Sequence, residues 1–163
     1  MAAALLGGCA TTSRLDAAED VHALLVAIRN HDQAGFDAHI DRPALKVQLR
    51  GRLVAEAARA HGIDSLAVLG AILARPLVDL AVDQLVRPDV FAAVADMMGY
   101  SPTKPVPNRL AIASLLRPID ETTVCAPRKK DGPCLLVFRK DAGSWRLVGF
   151  EGDAGMLRMG LKR

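Results

Sequence analysis

The chain has 163 residues, 51% of them hydrophobic and 24% charged, with a formal net charge of +3. That length fits one domain burying roughly 70% of the surface its unfolded chain exposes, and the composition excludes a disordered chain. A basic excess gathers in residues 109–163, but no basic run beyond Arg128-Lys129-Lys130 interleaves with aromatics, so nucleic acid is not an expected partner.

The N-terminus reads Leu6-Gly7-Gly8-Cys9, similar to a lipobox in which small residues precede an acylated cysteine. The stretch before it is short for an export signal and has no Lys or Arg before Arg14. Either the true start lies upstream and the leader is clipped, or the match is accidental. The lipoprotein reading makes residues 1–15 a leader and tether, Cys9 the lipidation site, and 16–163 a single domain.

Ser13-Arg-Leu-Asp16 reads as a capping box opening a first helix, whose stripe is Val21, Leu24, Leu25 and Ile28. Asn30-His31-Asp32 ends that helix and caps a short second one carrying Phe36. Asp41-Arg42-Pro43 starts a third, with Leu45, Leu49, Leu53 and Ala57 on one face and Gly62 as its stop. Leu66–Ala74 is too short and too closely followed by charge to span a bilayer, and reads as a buried helix broken or kinked at Pro76. Arg87-Pro88 opens a further helix.

The helical part thus covers 16–98, and the prolines at 102, 105 and 107 make 99–108 a loop. Residues 109–116 fit helix or strand. Beyond them the period changes to two: Thr122–Ala126, Cys134–Lys140 and Ser144–Phe150 read as strands, the last two joined as a hairpin through Asp141-Ala-Gly143. Leu157, Met159 and Leu161 suggest one more edge strand. About five helices followed by an antiparallel sheet of three to four strands, in residues 109–163, defines an α+β fold.

Cys125 and Cys134 flank a segment dense in turn formers. If the flanking residues are paired strands, the two thiols meet across the turn, and an oxidising compartment would join them. The closed loop would contribute roughly 2–3 kcal/mol. The other reading is two free thiols in a cytosolic protein. No second Cys/His pair has zinc-ligand spacing, so neither a metal nor a cofactor is expected.

Phe36, His39-Ile40-Asp41-Arg42-Pro43-Ala44-Leu45, Arg75-Pro76-Leu77-Val78-Asp79 and Val86-Arg87-Pro88 together resemble one family. So do Leu135-Leu136-Val137-Phe138-Arg139-Lys140 and Trp145-Arg146-Leu147. The family is that of small bacterial exported proteins grouped as domain of unknown function twenty-nine thirty-nine, and the resemblance runs over about residues 20–151. It implies an envelope location and an α+β fold, and carries over no activity and no catalytic or binding residue. The short leader and the cysteine pair gain nothing from it.

The search for chemistry finds neighbours rather than a site. His31-Asp32 and His39-Ile40-Asp41 set imidazoles beside carboxylates, but capping explains those residue types at that spacing. No serine lies in a nucleophile elbow. Glu151 and Asp153 read as loop charges, Trp145 as a packed sheet residue, and Arg128-Lys129-Lys130 as a solvated turn.

The expectation is therefore a lipid-anchored, non-enzymatic binding or interaction module on the periplasmic side of a bacterial membrane, the alternative location being the cytoplasm. Its partner would be a small apolar or lipid-like ligand, or an envelope protein. An apolar ligand would lie between the layers, against Leu49, Leu53, Leu69, Ile72, Leu73, Phe138 and Leu147. Two other readings are a structural subunit docking through the apolar helix 66–86, and a small enzyme with a His39/Asp41 cleft. Oligomeric state is not encoded in any motif.

Overall fold

The computed structural model describes residues 7–61, 75–97, 103–127 and 129–151. Among these, six helices precede a four-stranded antiparallel meander in the order β1-β2-β3-β4. The helices are α1 (Gly7–Arg29), α2 (Gln33–Ala38), α3 (Arg42–His61), α4 (Arg75–Leu85), α5 (Pro88–Met97) and α6 (Arg109–Leu115). The strands are β1 (Arg117–Pro118), β2 (Thr123–Pro127), β3 (Cys134–Asp141) and β4 (Ser144–Phe150). The α+β reading holds, and 109–115 resolves as helix. Its start is set by Asn108, whose side chain accepts from Ala111 N at 2.9 Å.

Two boundaries depart from expectation. Helix α1 begins at Gly7, earlier than the expected capping box, so Ser13–Asp16 lies inside the helix and does not open it. The spacing that suits a capping box is also one helical turn, and Asp16 serves another purpose described below. The fourth strand is the two-residue β1, which carries no alternating pattern of its own. The proposed strand at 157–161 and the apolar segment 66–74 lie outside the described residues.

Turns follow the chemistry of their residues. Helix α1 closes through His31 in the left-handed region (φ 54°), with Asp32 N–H donating back to Ala27 O at 2.9 Å. Asp32 then caps α2 by accepting from Gly35 N, and Asp41 caps α3 by accepting from Ala44 N. The β3–β4 hairpin turns on Ala142 (φ 48°) and Gly143 (φ 90°), between the paired residues Asp141 and Ser144. Both central residues at positive φ mark a type I′ turn, whose twist matches that of the strands.

The core lies between α1 and the inner face of the sheet. Ala17 and Ala18, both fully buried, let α1 approach closely, while Val124, Phe138, Trp145 and Leu147 fill the sheet side. Phe36 packs edge-on against Phe91 at 5.1 Å, joining α2 to α5. On the other flank, Arg42, Lys46 and Arg50 repeat every four residues along α3 and face Asp83 and Asp79 of α4. Lys46 meets Asp83 at 2.8 Å and Arg50 meets Asp79 at 2.7 Å. These pairs are half-exposed and solvent-screened, so they set the register of the helices more than they add stability.

The outer edge of β4 is occupied. Leu147 N–H donates to His39 O at 3.0 Å and Asp41 N–H donates to Leu147 O at 2.9 Å, forming a parallel bridge at Ile40. Further along, the Gln48 amide reads Phe150 as a strand would: Phe150 N–H donates to Oε1 at 2.9 Å and Nε2 donates to Phe150 O at 2.8 Å.

Candidate functional site

The three cysteines divide as two and one. Cys125 and Cys134 form a disulfide with a Cα–Cα distance of 5.6 Å. A register shift between Ala126 and Pro127 sets Pro127 opposite Cys134, which brings the two cysteines within reach across β2 and β3. Cys9 falls in the first turns of α1.

His39 and Asp41 do not converge. Asp41 is spent on its cap, and His39 Nδ1 turns to Asp20 Oδ1 at 3.5 Å. At that distance the contact is electrostatic rather than a hydrogen bond, in keeping with a buried Nδ1 that lacks a hydrogen-bond partner. His31 meets Asp89 on the surface at 2.5 Å. Of the apolar residues expected to line a ligand pocket, Leu49, Phe138 and Leu147 are buried in the common core. The side chain of Leu53, and Leu69, Ile72 and Leu73, lie outside the described residues. Among the described residues, no group of three or more His, Cys, Asp or Glu could hold a metal, and no helix is long and apolar enough to cross a membrane.

Two polar arrangements are built with more care than the rest of the surface. In the first, α1 is stapled to the β3–β4 hairpin by a carboxylate pair one helical turn apart. Asp16 Oδ2 accepts from Trp145 Nε1 at 3.0 Å and from Lys140 Nζ at 2.5 Å. Asp20 Oδ2 accepts from the Trp145 backbone N–H at 2.7 Å. The Lys140 ammonium also lies over the indole, 5.9 Å from its centroid. The hydrogen bond from Lys140, then that from Trp145, lowers the Asp16 pKa below the usual carboxylate range. Each carboxylate bonds to the hairpin, so the cluster fixes the hairpin against α1. Sequence reasoning passed over it, although two acids four residues apart, straddling Ala17 and Ala18, were a signal that carboxylates flank a buried helix face.

The second arrangement is a cavity of about 180 Å³ at the C-terminal end of α6, lined by Arg14, Ser114, Leu115, Leu116, Arg117, Pro127, Lys130 and Asp131. Its cations come from α1, β1 and the turn between β2 and β3. Arg117 braces that turn: Nη1 donates to Gly132 O at 3.3 Å, and Nη2 lies 3.8 Å from Cys125 Sγ. Arg14 Nε is buried without a hydrogen-bond partner. Asp131, at φ 62°, supplies the lone carboxylate of the lining. Ser114 Oγ donates to Ala111 O at 2.7 Å and is therefore tied to its own helix. The lining suits the holding of an anion. Lys130 was expected to be no more than part of a solvated turn, and no local pattern links it to Arg14 and Arg117, which lie far apart in the chain.

The fold and these sites define a small α+β protein with a disulfide-closed sheet and a cationic cavity beside its first helix. The model of the family described as protein of unknown function (DUF2939) matches residues 2–94, and the chain belongs to that family. The match covers the helical part as far as α5, so the hairpin residues 135–147 that entered the resemblance lie beyond it. No curated protein and no solved structure matches the chain.

Proposed function

We propose that this chain is a bacterial envelope lipoprotein, anchored through Cys9 on the periplasmic side of a membrane, and that it is a non-enzymatic binding module. The observation that carries this reading is the Cys125–Cys134 disulfide. Such bonds persist in oxidising compartments and are rare in the cytosol. With those two thiols joined, Cys9 stands alone behind Leu6-Gly7-Gly8, the residue types a lipobox requires. Cleavage before Cys9 would remove only two residues from α1, leaving the packed helix intact. A binding role is supported by the cationic cavity, which offers hydrogen-bond donors without a nucleophile joined to a base.

The test is intact-mass analysis of the protein extracted from its native membrane fraction. The expected species starts at Cys9, carries the added mass of acyl chains, and shows no free thiol when unfolded without reductant. Recovery of an unacylated chain with Met1 intact and two free thiols in the soluble cytosolic fraction would overturn the proposal.

A further inference from the structure

We infer that the cavity lined by Arg14, Arg117 and Lys130 is a phosphate site, and that the phosphate it takes is that of an anionic lipid headgroup. The inference deepens the proposed function and rests on it only for the choice of lipid as the source.

The cavity brings three cations against one carboxylate, Asp131, in a space of about 180 Å³, enough for a tetrahedral anion and part of its ester. The Arg14 Nε is buried and has no hydrogen-bond partner. A buried donor without a partner is costly, and an anion in the cavity offsets that cost with a charge-assisted hydrogen bond. Arg117 is already oriented by its bond to Gly132 O before any ligand arrives, and the disulfide constrains the backbone of the loop that carries Lys130.

Position selects the lipid. Arg14 follows Cys9 by five residues in one continuous helix, which places it about 7.5 Å along the axis from the anchor. A headgroup layer is roughly 5–8 Å deep, so an acyl chain on Cys9 holds the cavity at the phosphates of the leaflet. The lining is apolar as well as cationic: Leu115 lines the cavity and is exposed, and the chain neighbours of its arginines include the exposed Leu15, next to Arg14, and Ile119, two residues beyond Arg117. Exposed aliphatic side chains beside arginine and lysine are the make-up of surfaces that rest on anionic bilayers.

The test uses the full 163-residue chain carrying C9S, with its disulfide closed, so that binding reports on the cavity whether or not Cys9 is acylated in the cell. Co-sedimentation with phosphatidylcholine vesicles, with and without phosphatidylglycerol, is measured at constant ionic strength, with inorganic phosphate as competitor. Binding is expected only where phosphatidylglycerol is present. R14Q and K130A are each expected to weaken it about tenfold or more, the loss of a charge-assisted hydrogen bond. R139Q, which removes an exposed cation from β3, is expected to cost at most about fivefold, the worth of one diffuse surface charge. Because Lys130 is exposed on a turn, K130A keeps the test open if R14Q fails to fold. Saturable binding of inorganic phosphate, lost in K130A, without vesicle binding would retain the phosphate site and assign it a soluble source. Equal losses in K130A and R139Q, or no binding of either probe, would overturn the inference.

Discussion

Replacing Asp16 with alanine tests whether the α1–hairpin staple is a structural bond. Trp145 is 1% exposed, and its indole N–H has Asp16 as its partner. Removing the acceptor leaves a buried donor unsatisfied, which costs about 1–3 kcal/mol, while the exposed Lys140 pair adds at most about 1 kcal/mol. The expected loss for Asp16→Ala is about 2 kcal/mol, or a fall in Tm of about 4–8 °C for a domain of this size. Asp16→Asn keeps an acceptor for the indole and is expected to lose less than half as much. Trp145 is the sole tryptophan, so its fluorescence during urea unfolding reports directly on the site. The pH dependence has a definite sign. The folded-state pKa of Asp16 lies below the ordinary aspartate value of about 3.9, so its charge stabilises the fold fully above that ordinary value. The contribution fades as pH falls through the lower, folded-state pKa. The gap between wild type and Asp16→Asn should close in the same acid window. Equal stabilities for Asp16→Ala and Asp16→Asn at neutral pH would refute the assignment, because they would show that the indole does not need the acceptor.

Reduction of the Cys125–Cys134 bond, or its replacement by two serines, is expected to cost roughly 2–3 kcal/mol in urea unfolding, given a sequence separation of 9; an unchanged midpoint would show the turn closed without it. Ala142→Asn should raise stability by about 0.5–1 kcal/mol, because Ala142 holds φ 48° in a turn that favours Asn-Gly. Thermal melts that place the variant at or below wild type would rule that out. Gly149→Ala should destabilise by about 1–2 kcal/mol, since the new methyl would stand 3.0 Å from Gln48 Oε1 and the Gln48 amide is held by two bonds to Phe150. A double-mutant cycle with Gln48→Ala checks it: the glycine effect must shrink once the amide is gone.

Much of the fold was legible because its signals are local. The caps at Asp32 and Asp41, the stripe of α1, the hairpin turn and the alternation along β4 each lie within a few residues, and the cysteine pair brackets its own turn. The features missed were those in which separate segments meet. Asp16 looked like a cap because Ser13 precedes it by one turn, whereas its partners Lys140 and Trp145 lie across the fold. His39 was weighed against its neighbour Asp41 and instead faces Asp20 on α1. Strand β1 has two residues, too few for any period to show, and exists because β2 offers it Val124 and Cys125 as partners. The cavity is assembled from three such segments, so its arginines read singly as surface charge.

The occupied edge of β4 has a consequence for how this protein meets others. Its outward backbone donors at Trp145, Leu147 and Phe150 are taken by the Asp20 carboxylate, the His39 carbonyl and the Gln48 amide. The opposite margin is a two-residue strand ending in Pro118, which has no N–H to give. Among the described residues, neither side offers a length of free backbone on which a foreign strand could align. Copies of the chain at high local concentration are thereby kept from zipping together along these edges. At these two margins the surface on offer is side chains rather than backbone, unlike the free edge that strand addition requires.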